Sequence, residues 1–135
     1  MSRAAGTFEI EMHPQDVDAA EGADVIGRMR LAKSYLGDLV ASAKGQMLMC
    51  YTAQEGSAGY VAVEVVDGVL DGRQGTFVLQ HGGIMNRGEP TLEVTIIPDS
   101  GTGDLSGISG AMTIDIDEAG HHTYSIDYQL LTRQP

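Results

Sequence analysis

Residues 58–83, AGYVAVEVVDGVLDGRQGTFVLQHGG, decide how the rest of the chain is read. Two runs rich in Val, Tyr, Phe and Thr flank Asp71-Gly72, a dipeptide whose tolerance of positive φ suits a two-residue turn between twisted strands. With Asp71 and Gly72 as the loop, Leu70 faces Arg73, and counting back pairs Val66 with Phe77, Glu64 with Leu79 and Ala62 with His81. Side chains alternate across a strand, so Tyr60, Ala62, Glu64, Val66, Phe77, Leu79 and His81 share one face, apolar except for Glu64 and His81. The opposite face carries Val61, Val63, Val65, Val78 and Gln80, also largely apolar, which predicts a strand pair covered on both sides.

The neighbouring segments carry the same period of two. Upstream, residues 39–52 alternate Met47, Met49 and Tyr51 against Leu48 and Cys50. Residues 54–59 read as a polar, glycine-flanked loop, and setting Tyr51 opposite Tyr60 across it places Met49 by Ala62 and Met47 by Glu64, and adds the Met face to the Glu64 and His81 face. Residues 25–36 alternate Met29, Leu31, Lys33 and Tyr35 against Arg28, Arg30, Ala32 and Ser34; they would also pass for a short amphipathic helix. Strand is preferred because Gly37-Asp38 supplies a hairpin turn. Residues 5–12 read as a first strand, and 13–23, acidic and broken by Pro14 and Gly22, as a loop with a helical turn at 16–21. Downstream, residues 82–90 read as turn material, 91–97 as a strand stopped by Pro98, and 98–110 as a Gly- and Ser-rich connection with a short strand or turn at 105–108. The last strands are 111–117 and 122–131. About eight strands with short connections and almost no helix predict an all-β antiparallel barrel, with a two-sheet sandwich as the competing architecture.

Composition narrows the function classes. The 135 residues, 42% of them hydrophobic, suffice for one domain spanning 1–135 and are too few for two of ordinary size. The balance of 8 Lys plus Arg against 19 Asp plus Glu, a formal charge of -11, repels phosphate backbones and anionic lipid, so neither nucleic acid nor a membrane surface is expected as partner. No signal-peptide core or membrane span is visible, and a cytoplasmic location is expected. Cys50 is the single cysteine; it forms no internal disulfide and reads as a small buried hydrophobe.

Glu64 and His81 are the sharpest candidates for chemistry, because a carboxylate and an imidazole one diagonal apart on an apolar face can form an acid/base pair. The bland alternative is a polar pair that satisfies itself or a buried water. Tyr51 and Tyr60 would add hydroxyls to the same space, and Met47, Met49, Phe77 and Leu79 would line it, if they do not simply fill the core. His121-His122 lacks the converging ligands that zinc needs, and no metal or other cofactor is expected. The segment SGTGDLSGISG has neither GxGxxG nor a Walker Lys, and His81-Gly82-Gly83, though composed like an oxyanion loop, has no GxSxG nucleophile to serve.

The segments FEIEMHPQ, GDL at residues 37–39, MLMCYT, GSAGYVAVEVVDGVLDGRQGTFVLQHGGIM, PDSGTGDLSGISG and HTYSIDYQL resemble the small bacterial DUF3224 family, a domain of unknown function. The resemblance covers nearly the whole chain and implies a barrel similar to that of plant allene oxide cyclase, eight antiparallel strands around a central cavity. Fold does not fix function. By analogy with the cyclase, the barrel would shape a small, mostly apolar molecule and isomerise or cyclise it without a cofactor. Glu64 would then stabilise positive charge or move a proton, His81 would be its partner, and Tyr51 and Tyr60 would orient a substrate oxygen. The alternatives are a carrier or sensor barrel without chemistry, and a barrel filled by its own side chains that acts through oligomeric surfaces. The outer valines Val61, Val63 and Val65 predict a homo-oligomer.

Overall fold

A computed structural model describes residues 1–131. Eight antiparallel strands close into a barrel in sequence order: β1 (Ser2–Gln15), β2 (Gly27–Gly37), β3 (Leu39–Tyr51), β4 (Ala58–Leu70), β5 (Arg73–Asn86), β6 (Glu89–Ile96), β7 (Ile108–Ile116) and β8 (His122–Leu130), the last pairing back onto β1. Closure rules out the sandwich; its thinnest seam is β6–β7, where only Val94–Met112 and Thr95–Ala111 pair. Residues 132–135 of the single domain expected from sequence lie outside the described residues.

The central hairpin has the register that its turn dictates: Leu70 pairs with Arg73, Val66 with Phe77, Glu64 with Leu79 and Ala62 with His81. Asp71 and Gly72 both adopt positive φ, 48° and 82°, as a type I′ turn requires. The inward face alternates with the outward one along β4, where Ala62, Glu64, Val66 and Leu70 are buried while Val61, Val63 and Val65 are exposed.

Several boundaries move. The β3–β4 register is shifted by two residues from the expected one: Tyr51 pairs with Ala58, Met49 with Tyr60, Met47 with Ala62 and Gly45 with Glu64. The loop is shorter than its composition implies, because Thr52 N–H donates to Ser57 O at 3.2 Å and ends it before Ala58. A two-residue shift preserves parity, so the Met face still joins the Glu64 face. Residues 82–86, expected as turn, continue β5. The chain reverses at Arg87-Gly88, where positive φ values of 48° and 89° make a second tight turn. β1 runs on through His13 and Pro14 to Gln15, and the helical turn shrinks to a 3-10 turn at Ala19–Glu21. The short strand or turn expected at 105–108 is a 3-10 turn at Gly103–Leu105, and β7 starts at Ile108 rather than at 111. Cys50 is partly exposed near the end of β3 rather than buried.

The interior divides in two. One half is packed with Leu39, Val66, Leu70, Phe77, Leu79, Ile96, Leu105, Ile108, Ile126, Tyr124 and Tyr128. Its end is stoppered by the segment after β6: Leu105 is fully buried, Thr102 N–H donates to Thr76 O at 2.8 Å, and Val78 N–H donates to Ser100 Oγ at 3.0 Å. Tyr124 OH accepts from Leu39 N–H at 2.9 Å across the same end. The other half, towards the β1–β2, β3–β4, β5–β6 and β7–β8 connections, is not filled.

Candidate active site

At the boundary between the two halves lies a buried polar cluster built on three strands. Glu64, 1% exposed, projects inward from β4. Its Oε2 accepts from Lys33 Nζ at 2.7 Å and from His81 Nε2 at 3.0 Å, and its Oε1 accepts from the Tyr35 hydroxyl. His81 comes from β5, and Lys33 and Tyr35 from β2. The sequence pairing of Glu64 with His81 across one diagonal is thus a direct hydrogen bond.

Lys33 has to cross β3 to meet Glu64. It does so because the β3 residues in between are small: Ala43 pairs with Lys33 and Val66, and Gly45 with Leu31 and Glu64. A Cβ at Gly45 would stand 2.8 Å from Glu64 Cβ and 2.4 Å from Val63 O, so no larger residue fits without moving backbone. The ammonium is 5.0 Å from the centroid of the Phe8 ring and 5.9 Å from that of Tyr35, within range for aromatic faces to offset part of its desolvation.

Burial raises the pKa of the Glu64 carboxyl, but hydrogen bonds from His81, Lys33 and Tyr35 together with the Lys33 charge outweigh it and hold the group at about 2. Burial, reinforced by the Glu64 charge and hydrogen bond, pushes the Tyr35 hydroxyl well above its ordinary range. Tyr60 moves in the same direction, again from burial first and the Glu64 charge second. Both phenols therefore stay protonated as donors. An ionised Glu64 cannot donate, so the bond to His81 must run from Nε2–H. In the neutral imidazole that leaves a lone pair on Nδ1, which faces the Tyr60 hydroxyl at 3.4 Å.

Above this cluster opens a cavity of about 530 Å³. Lys33, Tyr60 and His81 are its polar lining near the floor, and its walls are mostly apolar: Phe8, Ile10, Met29, Leu31, Met47, Met49 and Ile114. The Tyr60 ring fits because its β5 partner is Gly83; a Cβ there would lie 2.5 Å from Tyr60 Cε1. Exposed Met12, Tyr51 and Met85 rim the opening. A larger groove, about 870 Å³, runs outside the barrel over Leu48, Val61, Val63 and Gln80, but the cluster converges on the interior one.

Of the residues singled out from sequence, His81, Tyr60, Met47 and Met49 line the cavity and Tyr51 stands at its rim, 75% exposed. Glu64 lies beneath the floor, with both oxygens engaged and no share of the lining. Phe77 and Leu79 belong to the packed half. Lys33 and Tyr35 are absent from the candidates drawn from sequence, although the β2 alternation places them on the same face as Met29 and Leu31; a lysine on such a face is the available signal. Cys50 also touches the cavity mouth, and His121 pairs with Asp117 at 3.2 Å on the surface.

Comparison with known proteins adds a family and a fold. Residues 4–128 match the family described as "Protein of unknown function (DUF3224)". A crystal structure of a protein of unknown function from that family, from Shewanella oneidensis MR-1, is similar at 42% identity and a TM-score of 0.92, with 98% of this chain and 99% of that chain covered. No curated protein matches.

Proposed function

The chain belongs to the DUF3224 family, and we propose that it is a binding barrel for a small, mostly apolar molecule carrying one oxygen function. The observation that carries this reading is the half-open interior: apolar walls rich in Met end on a floor where Lys33, Tyr60 and His81 present donors and one basic nitrogen. A pocket of this size with few convergent polar groups is the usual form of a small-molecule site. Methionine walls adapt to ligands of irregular shape. In this reading the ligand's hydrocarbon lies among Met29, Met47 and Met49 and its oxygen at the floor.

The same floor supports isomerase or cyclase chemistry as a second reading. Glu64 fixes the imidazole with Nε2–H inward, so that Nδ1 and the Tyr60 hydroxyl form a base and an acid towards the cavity. Glu64 then acts by orienting His81 and balancing Lys33, and the proton moves on His81. A carrier has no need of that arrangement; turnover with His81→Ala inactive and the wild type active on the same substrate separates the two.

Binding itself is tested with Nile red, a neutral fluorescent probe, displaced by decanol. Saturable displacement at one site per barrel supports the reading; a probe that neither binds nor is displaced refutes it. The exposed stripe of Val61, Val63 and Val65 supports a homo-oligomer formed on the outer face of β4. Cys50, a free thiol, suits a reducing compartment and hence the cytoplasm. Among the described residues no helix is long and apolar enough to cross a membrane.

A further inference from the structure

The cluster holds a primary amine inside an apolar cavity, and this exceeds what passive binding requires. Lys33 is 5% exposed, lines the cavity, and is one of two lysines in the chain; the other, Lys44, is exposed on the outside of β3. Its ammonium lies 2.7 Å from Glu64 Oε2 and faces the Phe8 and Tyr35 rings at 5.0 and 5.9 Å. From this geometry we infer that Lys33 captures an apolar aldehyde as a protonated imine, with Glu64 as its counter-ion; the inference rests on the cavity being a ligand site.

Charge balance favours a neutral carbonyl over an acid. Lys33 and Glu64 neutralise each other, so a carboxylate ligand would bring an uncompensated negative charge into a buried site and would lose its hydration without gaining a counter-ion. An aldehyde brings none. The iminium that it forms keeps the single positive charge on the same nitrogen, opposite the same carboxylate and beside the same rings. Burial also protects the product, because imines are lost to water and this nitrogen is largely shielded from it.

The chemistry is balanced without an oxidant or reductant. One proton leaves the ammonium and is held by His81 at Nδ1. The free amine attacks the carbonyl carbon, a C–N bond forms, the C=O π pair moves to oxygen, and a proton passes from nitrogen to that oxygen to give a neutral carbinolamine. The proton held by His81 then protonates the hydroxyl, the C–O bond breaks, water leaves and C=N forms. The sum is aldehyde plus Lys–NH3+ giving the protonated imine plus water. The Tyr60 hydroxyl, next to Nδ1, is placed to hydrogen-bond the departing oxygen.

The test treats the intact protein with decanal and sodium cyanoborohydride, which reduces an iminium to a stable amine, followed by intact mass measurement and peptide mapping. The expected result is one decyl adduct per chain at Lys33, formed at least tenfold faster than at Lys44 or the amino terminus, suppressed by excess decanol, and lost in Lys33→Arg, which keeps the positive charge. Adducts confined to Lys44 and the amino terminus overturn the inference. Mapping of the unaltered protein decides the matter even where the variant does not fold. Decanol displacement of Nile red, run alongside, separates two failures: displacement without a Lys33 adduct refutes the imine alone, and no displacement refutes the binding site with it.

Discussion

Replacing Glu64 by Gln removes one charge and almost no volume, and it strikes the group on which the floor of the cavity converges. In the folded protein the carboxyl is held at about 2 against an ordinary 4.5. At about 1.4 kcal/mol per pH unit this difference represents about 3 kcal/mol of stability for the ionised form. A second route gives a similar figure: removing one partner of a buried ion pair costs about 3–5 kcal/mol, because the other charge is left uncompensated. The folded value is depressed, so the contribution is complete above the unfolded value and disappears as pH falls through the folded one. The window is therefore from about 4.5 down to about 2. Urea denaturation followed by far-UV circular dichroism, with wild type and Glu64→Gln compared at each pH, isolates this group from the other carboxylates. The variant is expected to lose about 3 kcal/mol at pH 7 and less than half of that at about pH 3. A loss below about 1 kcal/mol at neutral pH, or a difference that does not change on acidification, would refute the picture of an ionised Glu64 anchoring the cluster.

Three further outcomes follow from the packing. Gly83→Ala places a Cβ against the Tyr60 ring and is expected to weaken Nile red binding severalfold while costing about 1–3 kcal/mol of stability; unchanged probe affinity would show that Tyr60 is not part of the site. Met47→Trp fills the cavity from its wall and is expected to abolish probe binding while leaving the strand signal in circular dichroism intact, whereas retained binding would place the probe elsewhere. Val63→Glu puts a charge in the exposed stripe on β4 and is expected to convert an oligomer to monomer in multi-angle light scattering; an assembly mass identical to wild type would remove that face from the interface.

The sequence was most informative where local rules act alone. Asp71-Gly72 specified a turn geometry, the turn specified a register, and the register put Glu64 and His81 within bonding range before any tertiary contact was known. The β3–β4 loop shows where such counting stops: Ala58 and Gly59 look like loop residues by composition, yet they pair with Tyr51 and Cys50 because Thr52 and Ser57 close the turn earlier. Residues 82–86 are strand against expectation for a related reason, since glycine-rich sequence suggests turn while here Gly83 makes room for the Tyr60 ring. Lys33 illustrates a different gap. Its face was readable from alternation, but its partner sits two strands away and is reached only because Ala43 and Gly45 clear the path, a fact of three-strand geometry that no single segment contains. Phe77 and Leu79 share a face with His81 and still do not line the cavity, because position along the barrel axis, which depends on where Leu105 and Tyr124 plug one end, is not encoded in parity.

The proposed site is the unfilled half of the barrel, with the oxygen of a small apolar ligand at Lys33, Tyr60 and His81. The most direct test is methyl NMR of protein labelled at its methionine methyls, titrated with decanol. Saturable shifts are expected for Met29, Met47 and Met49 on the cavity wall and none for Met112, buried in the packed half. Shifts absent throughout, or equal at Met112 and Met47, would contradict it.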